Sequence, residues 1–223
     1  MNSVFSVVKS VTRCCQFLKG SPKTKGKWWI MLGVFLDTET SGLDPFTHVP
    51  LELAFIIVDL VSGHEVASYE TLLQVSEEAW SARDLTSVDI NGLTRKELDK
   101  GVTRSQAGEK IESLFSTCQI NNDRAFFICQ NPSFDRPFFS QIIPPYRQEV
   151  FRWPYHWLDL ASMYWASALV YKQTESPFGL RLSKNSIAQS LGLEPESTPH
   201  RAMNGARHLL ACYERLVGFP SRC

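Results

Sequence analysis

Val34-Phe35-Leu36-Asp37-Thr38-Glu39-Thr40-Ser41-Gly42-Leu43-Asp44-Pro45 is the stretch on which the reading of this chain turns. From Trp29 to Leu36 the residues are almost continuously apolar, as in a central strand buried on both faces. Thr40 to Pro45 then breaks the run with turn residues. Asp37 and Glu39 stand two apart at the end of that strand, so both side chains project to one face. Two carboxylates held together at the rim of a core repel each other unless a cation lies between them. Hard divalent cations prefer oxygen ligands, which makes Mg²⁺ or Mn²⁺ the natural partner. Taken alone, such a pair is more often simply solvated. The buried strand before it and the turn after it favour the metal.

Further along, Leu51 to Leu60 is a second apolar run, and Ser62-Gly63 predicts a turn into a third strand over Glu65 to Val75. Short connections among these three strands point to an antiparallel meander. Ser105 to Thr117 reads as a helix with Ile111, Leu114 and Phe115 on one face, and Ala125 to Cys129 as a fourth strand. A helix is expected over Phe134 to Gln141, with Pro137 tolerated in its first turn. Trp157 to Asp159 gives a fifth strand, followed by a helix from Leu160 to about Lys172. Ser183 is expected to cap a helix ending before Gly192, and a last helix runs from about Ala202 to Val217. Strands first, then strands alternating with helices, is the order of an α/β domain with one mixed sheet.

The chain has 223 residues, enough for one domain with a full core. Its 43% hydrophobic and 21% charged residues are those of an ordinary globular protein, and no apolar run is long enough for a membrane span. The formal net charge is zero but uneven. Lys9, Arg13, Lys19, Lys23, Lys25 and Lys27 fall within the first thirty residues, which contain no acid. Residues 1–28 are therefore set apart as a basic extension or linker before a domain over 29–220. A basic arm on phosphate, a short membrane-surface helix and an unstructured extension upstream of Met31 all fit, the extension best. The six cysteines, Cys14, Cys15, Cys118, Cys129, Cys212 and Cys223, have no CxxC spacing and read as reduced thiols of a cytoplasmic protein.

Several stretches in order resemble the DEDD family of 3′–5′ exonucleases (its DEDDh branch), the group containing the proofreading epsilon subunit of bacterial DNA polymerase III. Residues 34–45 resemble the first motif, and Leu51-Glu-Leu-Ala-Phe-Ile-Ile the second strand. Val88-Asp-Ile-Asn-Gly-Leu-Thr94 is similar to the segment usually written Ile-His-Gly-Ile-Thr. Asn131-Pro-Ser-Phe-Asp135 resembles the second catalytic motif, with Gln130 where a histidine is usual. Leu182 to Leu193, followed by His200-Arg-Ala-Met, resembles the approach to the third. The likeness extends from about Val34 to Leu216.

The resemblance implies a ribonuclease H-like fold: a mixed five-stranded sheet flanked by helices. It implies a phosphodiester hydrolase, a metal-dependent 3′–5′ exonuclease acting on single-stranded DNA or RNA 3′ ends and releasing 5′-mononucleotides. Asp37 would bridge two Mg²⁺ or Mn²⁺ ions, Glu39 would bind the tighter one, and Asp135 would reach the second largely through water. Two such ions stabilise the attacking and leaving oxygens of an in-line displacement. His200 would be the general base, an imidazole being suited to proton transfer near neutral pH. Thr40 and Leu43 would position the terminal nucleotide, with Asn131 and Phe134 of the second motif beside it. Phe134 could stack a base, but a core-filling ring is the favoured reading. Many relatives are homodimers or associate with a polymerase.

One departure stands out. The family expects an aspartate five residues after the histidine, and this chain has Gly205. Glycine offers no ligand, and it weakens a helix by about 1 kcal/mol relative to alanine. The neighbouring Asn204 is rotated by about 100° around a helix and should point elsewhere. Glu194 and Glu196 precede the motif and reach the site only if their loop turns inward. With the metal site weakened, the chain reads as a slow or Mn²⁺-dependent exonuclease, and a large gain from Gly205→Asp would mark a damaged enzyme rather than a repurposed scaffold. Gly205 and Gln130 together leave open a catalytically inactive nucleic-acid-binding or protein-interaction module on the same fold. The aromatic stretch Phe151 to Trp157 reads either as a lining for single strands or as packing.

Overall fold

The computed structural model describes residues 30–170 and 179–222. The expected basic extension and the end of the helix expected to reach Lys172 lie outside them. Five strands form one mixed sheet in the order β3-β2-β1-β4-β5. They are β1 (Leu32–Thr40), β2 (Pro50–Asp59), β3 (Glu65–Leu72), β4 (Ala125–Cys129) and β5 (Trp157–Asp159). The first three form the antiparallel meander, while β4 pairs parallel with β1, and β5 parallel with β4.

The first strand starts later than the apolar run from Trp29 suggests. It begins at Leu32 and continues past Leu36 to Thr40, because pairing with β2 persists through Asp37↔Ala54 and Glu39↔Glu52. Asp37 and Glu39 are thus held on hydrogen-bonded strand, at its end as expected.

Alternation along the strands splits the core into two layers. Val34 and Leu36 of β1, Phe55 and Ile57 of β2 and Phe127 of β4 face one side. There they pack against Ile111, Leu114 and Phe115 of α4 (Arg104–Cys118). Phe35, Ile56 and Ile128 face the other side, against α7 (Leu160–Val170), α8 (Lys184–Ser190) and α9 (Ala202–Leu216). Phe35 is fully buried edge-on to Tyr213 of α9, a burial contributing about 2 kcal/mol. Since side chains repeat every two residues, Asp37 and Glu39 extend the Phe35 face and point toward α8 and α9.

Short helices α1 (Glu77–Ser81), α2 (Leu85–Asn91) and α3 (Arg95–Leu98) follow β3, before α4. A reciprocal cap between Thr94 and Glu97 opens α3, and another between Thr103 and Gln106 opens α4. The helix expected over Phe134 to Gln141 is α5 (Pro132–Ser140). It starts two residues earlier, with Pro132 in its first turn, so Pro137 falls in the interior instead. α6 (Pro145–Val150) follows. Trp153 packs against Phe115 at 4.7 Å, and Trp157 stacks on Phe127 at 4.1 Å. These two rings of the Phe151–Trp157 stretch are packing, whereas Phe151 and Tyr155 are exposed.

Candidate active site

Asp37, Thr38 and Glu39 of β1 line a cavity of about 310 Å³ together with Gln130, Phe134, Asp135, Ser183, Lys184, Asn185, Glu196 and His200. Four separate parts of the chain meet there. β1 brings the first two carboxylates, and the end of β4 leads into α5 and so delivers Phe134 and Asp135. The cap and first turn of α8 contribute Ser183 and Lys184. The loop before α9 supplies Glu196 and His200.

Asp135 is 3% exposed and accepts a hydrogen bond from the Thr38 hydroxyl at 2.8 Å. Burial pushes its carboxyl well above the usual range, and the charge of Asp37 pushes it further. Burial also raises Asp37, against the pull of the Lys184 ammonium and with the push of Glu196. Glu39 is pushed up to about 8, first by burial and then by Asp37 and Glu196. The cause is common to all three: acids crowded into a poorly hydrated cleft with too little positive charge.

The positive charge present is Lys184, whose Nζ lies 3.0 Å from Asp37 Oδ1 and 2.8 Å from Glu196 Oε2. Burial works against this ammonium, but the two carboxylates outweigh it and hold its pKa above the ordinary lysine value. Glu196 is the acid that the sequence placed on a loop with uncertain reach. The loop does turn inward: its backbone N–H donates to Asn185 Oδ1 at 2.8 Å, and the side chain is only 3% exposed. Glu194 is exposed. Lys184 carried no signal in the sequence, where it reads as an ordinary first-turn residue.

Gly205 lies on the buried face of α9, directly over Asp37. A Cβ there would fall well inside van der Waals contact with both carboxylate oxygens of Asp37. Position 205 therefore faces the cleft, but Asp37 fills the space its side chain would need. Asn204 turns away, as the helical rotation requires, and donates to Ser197 Oγ.

His200 is fixed through the backbone, donating its N–H to Ile90 of α2. The next residue, Arg201, forks onto Glu52 of β2 at 2.8 and 2.9 Å, and Glu52 also accepts the Ala202 N–H at 2.9 Å. Glu52 thus caps α9 from across the sheet, a carboxylate suiting the positive end of a helix. An acid inside the otherwise apolar run of β2 is the signal for this contact in the sequence. Gln130, where a histidine was expected, donates to the Leu182 carbonyl at 2.8 Å and ties β4 to the segment before α8.

The expected nucleotide-contacting residues divide. Phe134 is half-buried, packing on Phe138 at 5.1 Å while lining the cavity. Leu43 is 72% exposed on the loop after β1. Thr40 is buried and spends its hydroxyl on the Gly42 carbonyl. Asn131 lies outside the lining: it is exposed, at φ 57°, and its N–H donates to Asp159.

Comparison with known proteins identifies the family and the fold. The exonuclease family model RNase_T matches residues 34–213. Among solved structures, E. coli exonuclease I in complex with a dA16 oligonucleotide superposes with a TM-score of 0.67 at 19% identity. That match covers 86% of this chain and 42% of the other. The complex with a 5cy-dT13 oligonucleotide gives 0.65 at 20% identity, over 84% and 40%. Cell-death related nuclease 4 (CRN-4) gives 0.65 at 13% identity, over 83% and 63%. The chain thus spans about two fifths of the length of the exonuclease I chains it matches. No curated protein sequence matches it significantly. With the family pattern running from β1 into α9 and the sheet superposing on that of exonuclease I, the chain belongs to the DEDD-type exonuclease family.

Proposed function

We propose that this protein is a metal-dependent 3′–5′ exonuclease, hydrolysing the terminal phosphodiester of single-stranded DNA or RNA to 5′-mononucleotides. The observation that carries the reading is the meeting of Asp37, Glu39, Asp135 and His200, far apart in sequence, on one cavity. The oligonucleotides in the exonuclease I complexes support a single-stranded substrate.

Whether divalent metal suits these residues turns on the donors. Four carboxylates, those of Asp37, Glu39, Asp135 and Glu196, line the cavity beside one lysine, an oxygen-rich set of the kind that hard cations prefer. Glu196 Oε1 is buried without a hydrogen-bond partner, and an ammonium already stands between Asp37 and Glu196. Among the described residues, no three acidic, histidine or cysteine side chains are yet gathered around a common ion position. The chemistry fits Mg²⁺ or Mn²⁺, on condition that Lys184 gives way. Asp37, Glu39 and Asp135 would hold the metal, which when bound neutralises phosphate charge and makes water a better nucleophile at neutral pH.

The remaining steps belong to the chain. His200 takes the proton from the attacking water, and its position follows from Arg201 locked onto Glu52. Thr38 orients Asp135. Phe134 offers a ring edge or face to the terminal base, and the exposed Leu43 packs against that nucleotide from the loop.

Chromatography of the products from a single-stranded oligonucleotide tests this reading. The expected result is 5′-mononucleotide release with Mg²⁺ or Mn²⁺ that EDTA stops. Strand binding without any released nucleotide would instead make the chain a binding module on an exonuclease fold.

A further inference from the structure

Position 205 lacks a carboxylate, and the Asp37 side chain occupies the space in which one would sit. Yet the cleft still holds a fourth acid. Glu196 reaches it from the loop after α8, with its N–H pinned by Asn185 and one carboxylate oxygen on Lys184. Its second oxygen is buried and unpartnered, which is costly for a carboxylate unless a cation or donor arrives. Lys184 touches Asp37 and Glu196 together, so the two carboxylates flank one cation-sized space. The ammonium stands at the end of a flexible four-carbon stem and can withdraw along it.

We propose that Glu196 supplies the acidic ligand that Gly205 cannot, and that Lys184 and a divalent cation displace each other from the Asp37–Glu196 pair. This inference rests on the metal-dependent reading of the same cleft. A lysine that served only as a structural bridge would stay in place whatever metal was added. A lysine that holds the space for a cation must leave when one binds, and its departure is measurable in the unaltered protein.

The experiment has two arms. In the first, amine acylation of the wild-type chain is followed at Lys184 by mass spectrometry, without and with Mn²⁺. Labelling at Lys184 should rise at least fivefold with Mn²⁺, while that of Lys96 on the surface stays level. In the second, Mn²⁺ affinity is measured by calorimetry on folded wild type and variants. Glu196→Gln should weaken binding tenfold or more, and Lys184→Met should tighten it by a similar factor. Glu194→Gln, on the same loop but exposed, should leave it unchanged.

Labelling that Mn²⁺ does not raise, equal affinity in wild type and Glu196→Gln, or no Mn²⁺ binding at all would each overturn the proposal. Its failure and that of the nuclease reading separate cleanly. Nucleotide release with affinity indifferent to Glu196 sinks only this inference. Lys184 displacement and Glu196-dependent binding without nucleotide release sink only the exonuclease reading.

Discussion

At the residue scale, Gly205 sets two effects against each other. Alanine in a helix is favoured over glycine by about 1 kcal/mol. Its Cβ would, however, overlap the Asp37 carboxylate, and overpacking of this kind costs about 1–3 kcal/mol. Lys184 holds the Asp37 carboxylate in place at 3.0 Å, so the overlap is not relieved by simple rotation. Gly205→Ala should therefore lower the melting temperature despite its better propensity, as thermal unfolding followed by circular dichroism will show. For the same reason Gly205→Asp should fail to restore activity, contrary to what the motif alone implies. Thr38 gives a second prediction at this scale. Thr38→Val keeps the shape but removes the hydrogen bond to Asp135, a charge-accepting bond worth about 1.5–3 kcal/mol. Turnover should fall about tenfold or more with the fold intact, measured as kcat on a labelled oligonucleotide.

At the element scale, the start of α9 depends on a residue in another strand. Glu52 accepts from Arg201 and from the Ala202 N–H, and it is itself 4% exposed. Glu52→Ala would leave the guanidinium and the first helix N–H without their acceptor. Because Arg201 is one-third exposed and regains water, the loss should sit near the lower end for broken buried pairs, about 3 kcal/mol. Urea unfolding measures it, and a loss under 1 kcal/mol would remove Glu52 from the account. The elements themselves were legible to different degrees. β4 and β5 fall where the apolar runs between polar residues put them, and Ser183 caps α8 as expected. The helices α1, α2, α3 and α6 were not legible, since four to seven residues complete too few turns to display a periodicity. The end of β1 falls within a residue of the turn expected from Thr40, whereas its start lies later than the apolar run from Trp29 suggests.

At the scale of the whole molecule, the site was legible where residues sit in ordered motifs and illegible where the loops decide. Asp37 and Glu39 are marked by their spacing on a strand, Asp135 and His200 only by the family resemblance, and all four line one cavity. Glu196 and Lys184 enter through the packing of a loop on α8, which no local pattern encodes. The excess of buried acid has a global consequence. Burial, then the charges of Asp37 and Glu196, pushes the Glu39 carboxyl from its ordinary 4.5 up to about 8, and burial raises Asp37 and Asp135 in the same sense. The folded state therefore holds protons that the unfolded state releases. The stability this gives is complete below about pH 4.5 and is lost as pH rises toward 8. In EDTA the protein should melt several degrees lower at pH 8 than at pH 5.5, Glu39→Gln should flatten that difference, and Mn²⁺ should narrow it. A melting temperature that rises with pH across this window would show that the acids are compensated some other way.

The central claim is that the acidic cleft removes nucleotides from the 3′ end, and a strand labelled at its 5′ end reads this directly. With Mn²⁺, electrophoresis should show a ladder shortening one nucleotide at a time from the 3′ side, and Asp37→Asn should abolish it. An intact strand, fragments cut internally, or a ladder that survives Asp37→Asn would contradict the account.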